Sequence, residues 1–73
     1  MIKKAFALKN LDCANCAAKM ENAIRHIKGV EAVTVSFLTQ RITLTADDDQ
    51  FSSIVDEMIR VCRKIEPDCT ICI

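Results

Sequence analysis

Phe51, Ile54, Val55, Met58, Ile59, Cys62 and Ile65 recur at spacings of three and four, the pattern of a helix with one apolar stripe. The spacing predicts a helix over 50–65. Such a stripe must be covered by a second layer, so the rest of the chain has to supply one. Cys16, Ala17, Met20, Ile24 and Ile27 carry another helical pattern, predicted over 14–28, with Gly29 as its C′ residue. Around the two helices the period drops to two. Phe6 and Leu8 share one face of a strand over 5–8. Val33, Val35 and Phe37 alternate, a Leu38-Thr39-Gln40 connection follows, and Ile42 and Leu44 alternate again. That is a hairpin with one buried face. Pro67 ends the second helix, and 69–73 reads as a last strand.

The order is β-α-β-β-α-β, and both helices must cover the same face of a four-stranded antiparallel sheet. The expected fold is α+β, in the ferredoxin-like split-βαβ arrangement. At 73 residues and 8.2 kDa the chain makes one domain, 1–73. It stops inside its last strand, which points to a segment of a longer polypeptide. Ten basic residues balance ten acidic ones, so the broad positive surface of a nucleic-acid binder is absent. No apolar run approaches the roughly 20 residues needed to span a bilayer, so direct membrane insertion is excluded. Asp47, Asp48 and Asp49 precede the second helix and read as its cap and dipole partners rather than as a cation site.

Five cysteines in so short a chain are the unusual number. Lys3 and Lys4 imitate the start of a secretory signal, but Lys9, Asn10 and Asp12 interrupt the apolar stretch behind them. The thiols are therefore expected to be reduced, in a cytoplasmic setting where close pairs serve metal or redox chemistry. Asp12-Cys13-Ala14-Asn15-Cys16 lies where the first strand turns into the first helix. Cys13 and Cys16 can converge on one point there, and free N–H groups with the positive helix end favour anionic sulfur. Thiolate binds soft and borderline metals. A dithiol oxidoreductase uses the same placement, but its fold follows the CxxC helix with a strand parallel to the first and then another helix. Here two strands come next, which favours metal binding.

The run 11–21, LDCANCAAKME, with Ile27-Lys28-Gly29-Val30 and Val33-Thr34-Val35, resembles the heavy-metal-associated domain family. That family includes small metallochaperones and the N-terminal domains of metal-transporting P-type ATPases. The resemblance implies a non-catalytic domain that takes up an ion through Cys13 and Cys16. It would hand that ion to a metallochaperone or to the transmembrane and actuator parts of a parent ATPase. Copper-type members usually carry Gly-Met-Thr or Gly-Met-Ser before the first cysteine; this chain has Asn10-Leu11-Asp12. Leu11 replaces an apolar plug beneath the loop. Asp12 looks like the zinc/cadmium/lead branch, because Zn(II) accepts a carboxylate oxygen whereas Cu(I) is satisfied by sulfur. The implied metal ligands are Cys13, Cys16 and Asp12, and the implied ion is Zn(II), Cd(II) or Pb(II) ahead of Cu(I). A free-standing copper(I) or mercury(II) metallochaperone is the alternative. The expected state is a monomer, with a metal-bridged dimer open to a site of two or three ligands.

Other residues are assigned by position. Cys69 shares parity with Ile71 and is expected to be buried, and Cys72 to face solvent. The last strand should run antiparallel to the first, which makes Asp68 or Cys69 an accessory ligand candidate. Cys62, Met20 and Met58 fall on apolar stripes and read as core. His26 lies about 15 Å along the helix from Cys16, too far to share an ion. Lys19 and Lys28 read as solvated charges that could help a partner dock.

Overall fold

The period-two segments become strands and the three-and-four segments become helices in the computed structural model, which describes residues 1–72. In chain order these are β1 (Ile2–Lys9), α1 (Ala14–Arg25), β2 (Val30–Ser36), β3 (Arg41–Ala46), a 3-10 turn (Asp48–Gln50), α2 (Phe51–Ile65) and β4 (Thr70–Cys72). The strands form one sheet in the order β2-β3-β1-β4. Every neighbouring pair is antiparallel, with Phe6 opposite Ile42, Val33 opposite Leu44 and Leu8 opposite Ile71. This is the expected ferredoxin-like fold. Ile73, the end of the expected last strand, lies outside the described residues.

Alternation explains where the core sits. Phe6, Leu8, Val33, Ile42, Leu44 and Ala46 are buried on one sheet face, under Ala17, Met20 and Ile24 of α1 and Ile54, Val55, Met58 and Cys62 of α2. Fully burying an aliphatic or Met side chain stabilises by roughly 1.5–3 kcal/mol, so this layer dominates the favourable side of folding. Ala5, Ala7 and Lys9 alternate with the buried positions and stay exposed.

The structure corrects the helix ends. α1 stops at Arg25 rather than at residue 28. The N–H groups of His26 and Ile27 bond to the carbonyls of Ala23 and Ile24, three residues back, which tightens the last turn. The His26 ring nitrogen Nδ1 sits 2.7 Å from the Asn22 carbonyl oxygen, a further partner for the helix end. Gly29 is therefore not the C′ residue. It occupies the third place of a turn closed by Val30 N–H donating to the Ile27 carbonyl, with φ +98°. That turn requires a positive φ, and a Cβ here would stand 2.8 Å from Ile54 Cδ1. The aspartates also act one turn earlier than expected. Asp47 caps the 3-10 turn by accepting from the Asp49 N–H at 3.1 Å, and Asp48 pairs with the Met1 amino group at 2.6 Å. Gln50, at the start of α2 itself, makes no side-chain cap bond. Cys72 pairs with Ala7 on the outer face of the sheet, as expected, and is half-buried there. Among the described residues no helix is long and apolar enough to cross a membrane.

Candidate metal centre

β1 ends at Lys9, and the chain then turns through Asn10, whose φ of +65° is left-handed. Asn tolerates that region better than most residues because its short amide can bond locally. Leu11 follows and drops into the core at 2% exposure, so the plug beneath the loop is in place. The backbone of Leu11 is held from across the molecule by Gln40, which donates to its carbonyl at 2.6 Å and accepts from its N–H at 3.1 Å.

Cys13 is the N-cap of α1. Its backbone is extended and its Sγ accepts from the Cys16 N–H at 3.3 Å. Capping is usually the work of Ser, Thr, Asp or Asn; here sulfur takes the place of oxygen. Asp12 is thereby released from that duty, and its carboxylate is left exposed beside the thiols in sequence. Cys16 lies in the first helical turn, and both cysteines are half-buried.

The pair divides its protons unequally. The Cys13 thiol is held below its ordinary value, first by a side-chain hydrogen bond from Cys16 and then by the N–H groups of Cys16 and Asn15. Cys16 is pushed up to about 11, first by that same bond to Cys13, then by desolvation and by the negative charge of Cys13 and Glu66. The first proton to leave the pair is thus the one on Cys13, and Cys16 keeps its proton longer.

The carboxylate that the fold brings to the thiols is Glu66. The Cys16 thiol, whose single proton is shared with Cys13, also faces Glu66 Oε2 at 3.6 Å across 50 positions of sequence. The other oxygen, Oε1, accepts from the Asp68 N–H at 3.4 Å, which steadies the group. The E-P pair was the available signal: a residue before proline is pushed out of the helical region, and Glu66 is extended at φ −138°, ψ 91°. The antiparallel pairing of β1 with β4, Lys9 opposite Thr70, then carries it to the CxxC end.

The expected accessory candidates fare differently. Cys69 is buried at 4% exposure within the core, and burial pushes its thiol up. Asp68 contributes its backbone N–H to Glu66, while its own side chain is exposed. The carboxylate in contact with a thiol is thus Glu66, two residues upstream of Asp68. Cys62, Met20 and Met58 are buried in the core as expected, and desolvation pushes the Cys62 thiol up to about 12. Among the described residues no three Cys, His, Asp or Glu side chains stand together as a ready-made cage. The centre is a dithiol with carboxylates at its margin.

Comparison with known proteins agrees with this geometry. The family model of the heavy-metal-associated domain matches residues 5–65. The chain is 31% identical to a cadmium, zinc and cobalt-transporting ATPase of Bacillus subtilis (strain 168), over 97% of this chain and 10% of that protein. It is 42% identical to a zinc/cadmium/lead-transporting P-type ATPase of Escherichia coli (strain K12), over 62% of this chain and 6% of that protein. The chain thus spans a tenth or less of the length of these relatives. Among solved structures, the CopZ metallochaperone superposes with a TM-score of 0.76 at 17% identity, covering 96% of this chain and 98% of its own. That is a likeness of fold alone. The N-terminal domain of a potential copper-translocating P-type ATPase from Bacillus subtilis, in its Cu(I)-loaded state, gives 0.73 at 25% identity, covering 88% and 78%. With the family model matched across both helices and three strands, the chain belongs to the heavy-metal-associated domain family and is a metal-binding domain.

Proposed function

We propose that Cys13 and Cys16 bind a Zn(II), Cd(II) or Pb(II) ion as thiolates, with Asp12 supplying an oxygen and Glu66 a second carboxylate within reach. The observation that carries this reading is the pairing of a half-buried dithiol at a helix start with an oriented carboxylate 3.6 Å from one sulfur. The donor chemistry fits. Two sulfurs alone suit Cu(I), whereas a tetrahedral divalent ion needs more donors and accepts oxygen. The two sulfurs and Asp12 leave one tetrahedral position, which Glu66 can fill or give up to a partner's ligand, and an exchangeable position suits transfer of the ion. The zinc- and cadmium-transporting relatives support the same choice of ion.

In this reading the segment 1–73 is a non-catalytic, cytoplasmic part of a heavy-metal-exporting P-type ATPase. It passes its cargo to the transmembrane and actuator parts, or exchanges it with a metallochaperone. The Cu(I)-loaded state of the solved Bacillus subtilis domain favours a second reading, a free-standing copper(I) or mercury(II) carrier with the same two sulfurs. A competitive Zn(II) titration against a chromophoric chelator separates them, using wild type, Asp12→Ala and the Cys13→Ser/Cys16→Ser double variant. Loss of about tenfold in Asp12→Ala, roughly 1.4 kcal/mol, with no binding by the double variant, is the expected result. Wild-type Zn(II) affinity in Asp12→Ala, with a preference for Cu(I), would favour the carrier.

A further inference from the structure

Gln40 stands at the end of the β2–β3 hairpin turn with φ +55°, a left-handed backbone that disfavours a side chain. Glycine or asparagine would meet that demand at lower cost, so the glutamine side chain needs another reason to be there. All the polar atoms of its amide are engaged. Oε1 accepts from the Leu11 N–H at 3.1 Å, while Nε2 donates to the Leu11 carbonyl at 2.6 Å and to the Phe37 carbonyl at 2.9 Å. Its main-chain carbonyl accepts from the Leu8 N–H at 2.8 Å, which ties the same turn to the end of β1.

Leu11 lies immediately before Asp12 and Cys13. Burial of its side chain fixes where the residue sits but leaves the peptide planes on either side free to rock. The Gln40 amide grips both planes, one through the N–H and one through the carbonyl. The chain therefore enters Asp12 in a set direction, and Cys13 meets the start of α1 ready to cap it. Ordering a binding loop beforehand removes an entropy cost that the ligand would otherwise meet.

We propose that Gln40 is a positioning residue for the metal centre: its amide, locked on both peptide groups of Leu11, holds Asp12 and Cys13 in the geometry that receives the ion. The proposal rests on the dithiol reading above. Gln40 touches neither sulfur and acts through Leu11.

Two variants test it. Gln40→Gly accepts the left-handed backbone and keeps the Leu8 N–H bond to the main-chain carbonyl, but deletes the side-chain grip. Gln40→Glu keeps an acceptor for the Leu11 N–H and turns the two donor contacts into repulsions between oxygens. Zn(II) alone is the probe, read by chelator competition, alongside amide hydrogen exchange and thermal unfolding. Both variants should lose about tenfold in Zn(II) affinity. Exchange at Leu11 should accelerate, while Leu8 stays protected in Gln40→Gly. That split separates positioning from a general loss of stability, which would speed both amides together. Zn(II) affinity within about twofold of wild type in either folded variant would overturn the proposal. Full Zn(II) binding by the Cys13→Ser/Cys16→Ser variant would instead overturn the dithiol reading, and this proposal with it.

Discussion

The Glu66 carboxylate meets the Cys16 thiol at 3.6 Å, joining the end of α2 to the first turn of α1. Asp68 N–H holds the other oxygen, so the group is aimed before any ion arrives. A carboxylate so placed adds an oxygen donor to a divalent ion and gives Cu(I) little. Glu66→Gln should weaken Zn(II) binding by about tenfold and leave Cu(I) binding unchanged, measured in parallel chelator competitions. Equal losses for the two ions would assign Glu66 to the shape of the loop rather than to the choice of metal.

The unequal cysteines make a pH prediction. Cys13 is shifted down, chiefly by its bond from Cys16, and Cys16 is shifted up to about 11. Alkylation by iodoacetamide at neutral pH, mapped by peptide mass, should label Cys13 first, and Cys16 should respond only as pH climbs towards 11. Both sulfurs bind metal as thiolates, so the ion must displace the Cys16 proton. Once Cys13 has titrated, Zn(II) affinity should therefore rise about tenfold per pH unit for that one proton, levelling off as Cys16 titrates. Equal labelling rates at neutral pH would contradict the assignment.

Much of this was legible in the chain, because burial and periodicity are local properties. Phe6, Ile42 and Leu44 alternate, the apolar stripe from Ile54 to Cys62 steps by threes and fours, and the structure buries all of these but Ile59, which is half-buried. The position of Asp12-Cys13-x-x-Cys16 followed from the element order. Glu66 and Gln40 were less accessible, since their partners lie 50 and 29 positions away and only strand pairing brings them together. The antiparallel run of β4 against β1 was foreseen, and it pointed to the right loop. Within that loop the side chain that meets a thiol is Glu66 rather than Asp68 or Cys69, because the extended backbone before Pro67 turns it there while parity keeps Cys69 in the core. Likewise α1 ends early because the turn to β2 needs Gly29 at a positive φ, a constraint that apolar spacing does not report.

Gly29→Ala should destabilise the fold without touching the metal centre. The residue sits at φ +98°, and a Cβ would come within 2.8 Å of Ile54 Cδ1 and 3.0 Å of Gln50 Oε1. Urea unfolding should show a loss of about 1–3 kcal/mol, with Zn(II) stoichiometry retained. An unchanged midpoint would mean that the turn finds another conformation at no cost.

Met58 has no exposed surface and lies on the buried stripe of α2. As a packing residue, Met58→Ala should cost about 2–5 kcal/mol of stability and leave metal affinity intact under native conditions. A specific loss of Cu(I) affinity in a variant of normal stability would instead make the Met58 thioether a copper ligand.

In the proposed centre two sulfurs and protein oxygens share one ion. X-ray absorption at the zinc edge of the one-to-one Zn(II) complex reads the donor set directly. Two sulfurs at about 2.3 Å with oxygen at about 2.0–2.2 Å are expected, with an altered oxygen shell in Asp12→Ala. A shell of four sulfurs, from an ion bridging two copies, or a shell without sulfur would contradict it.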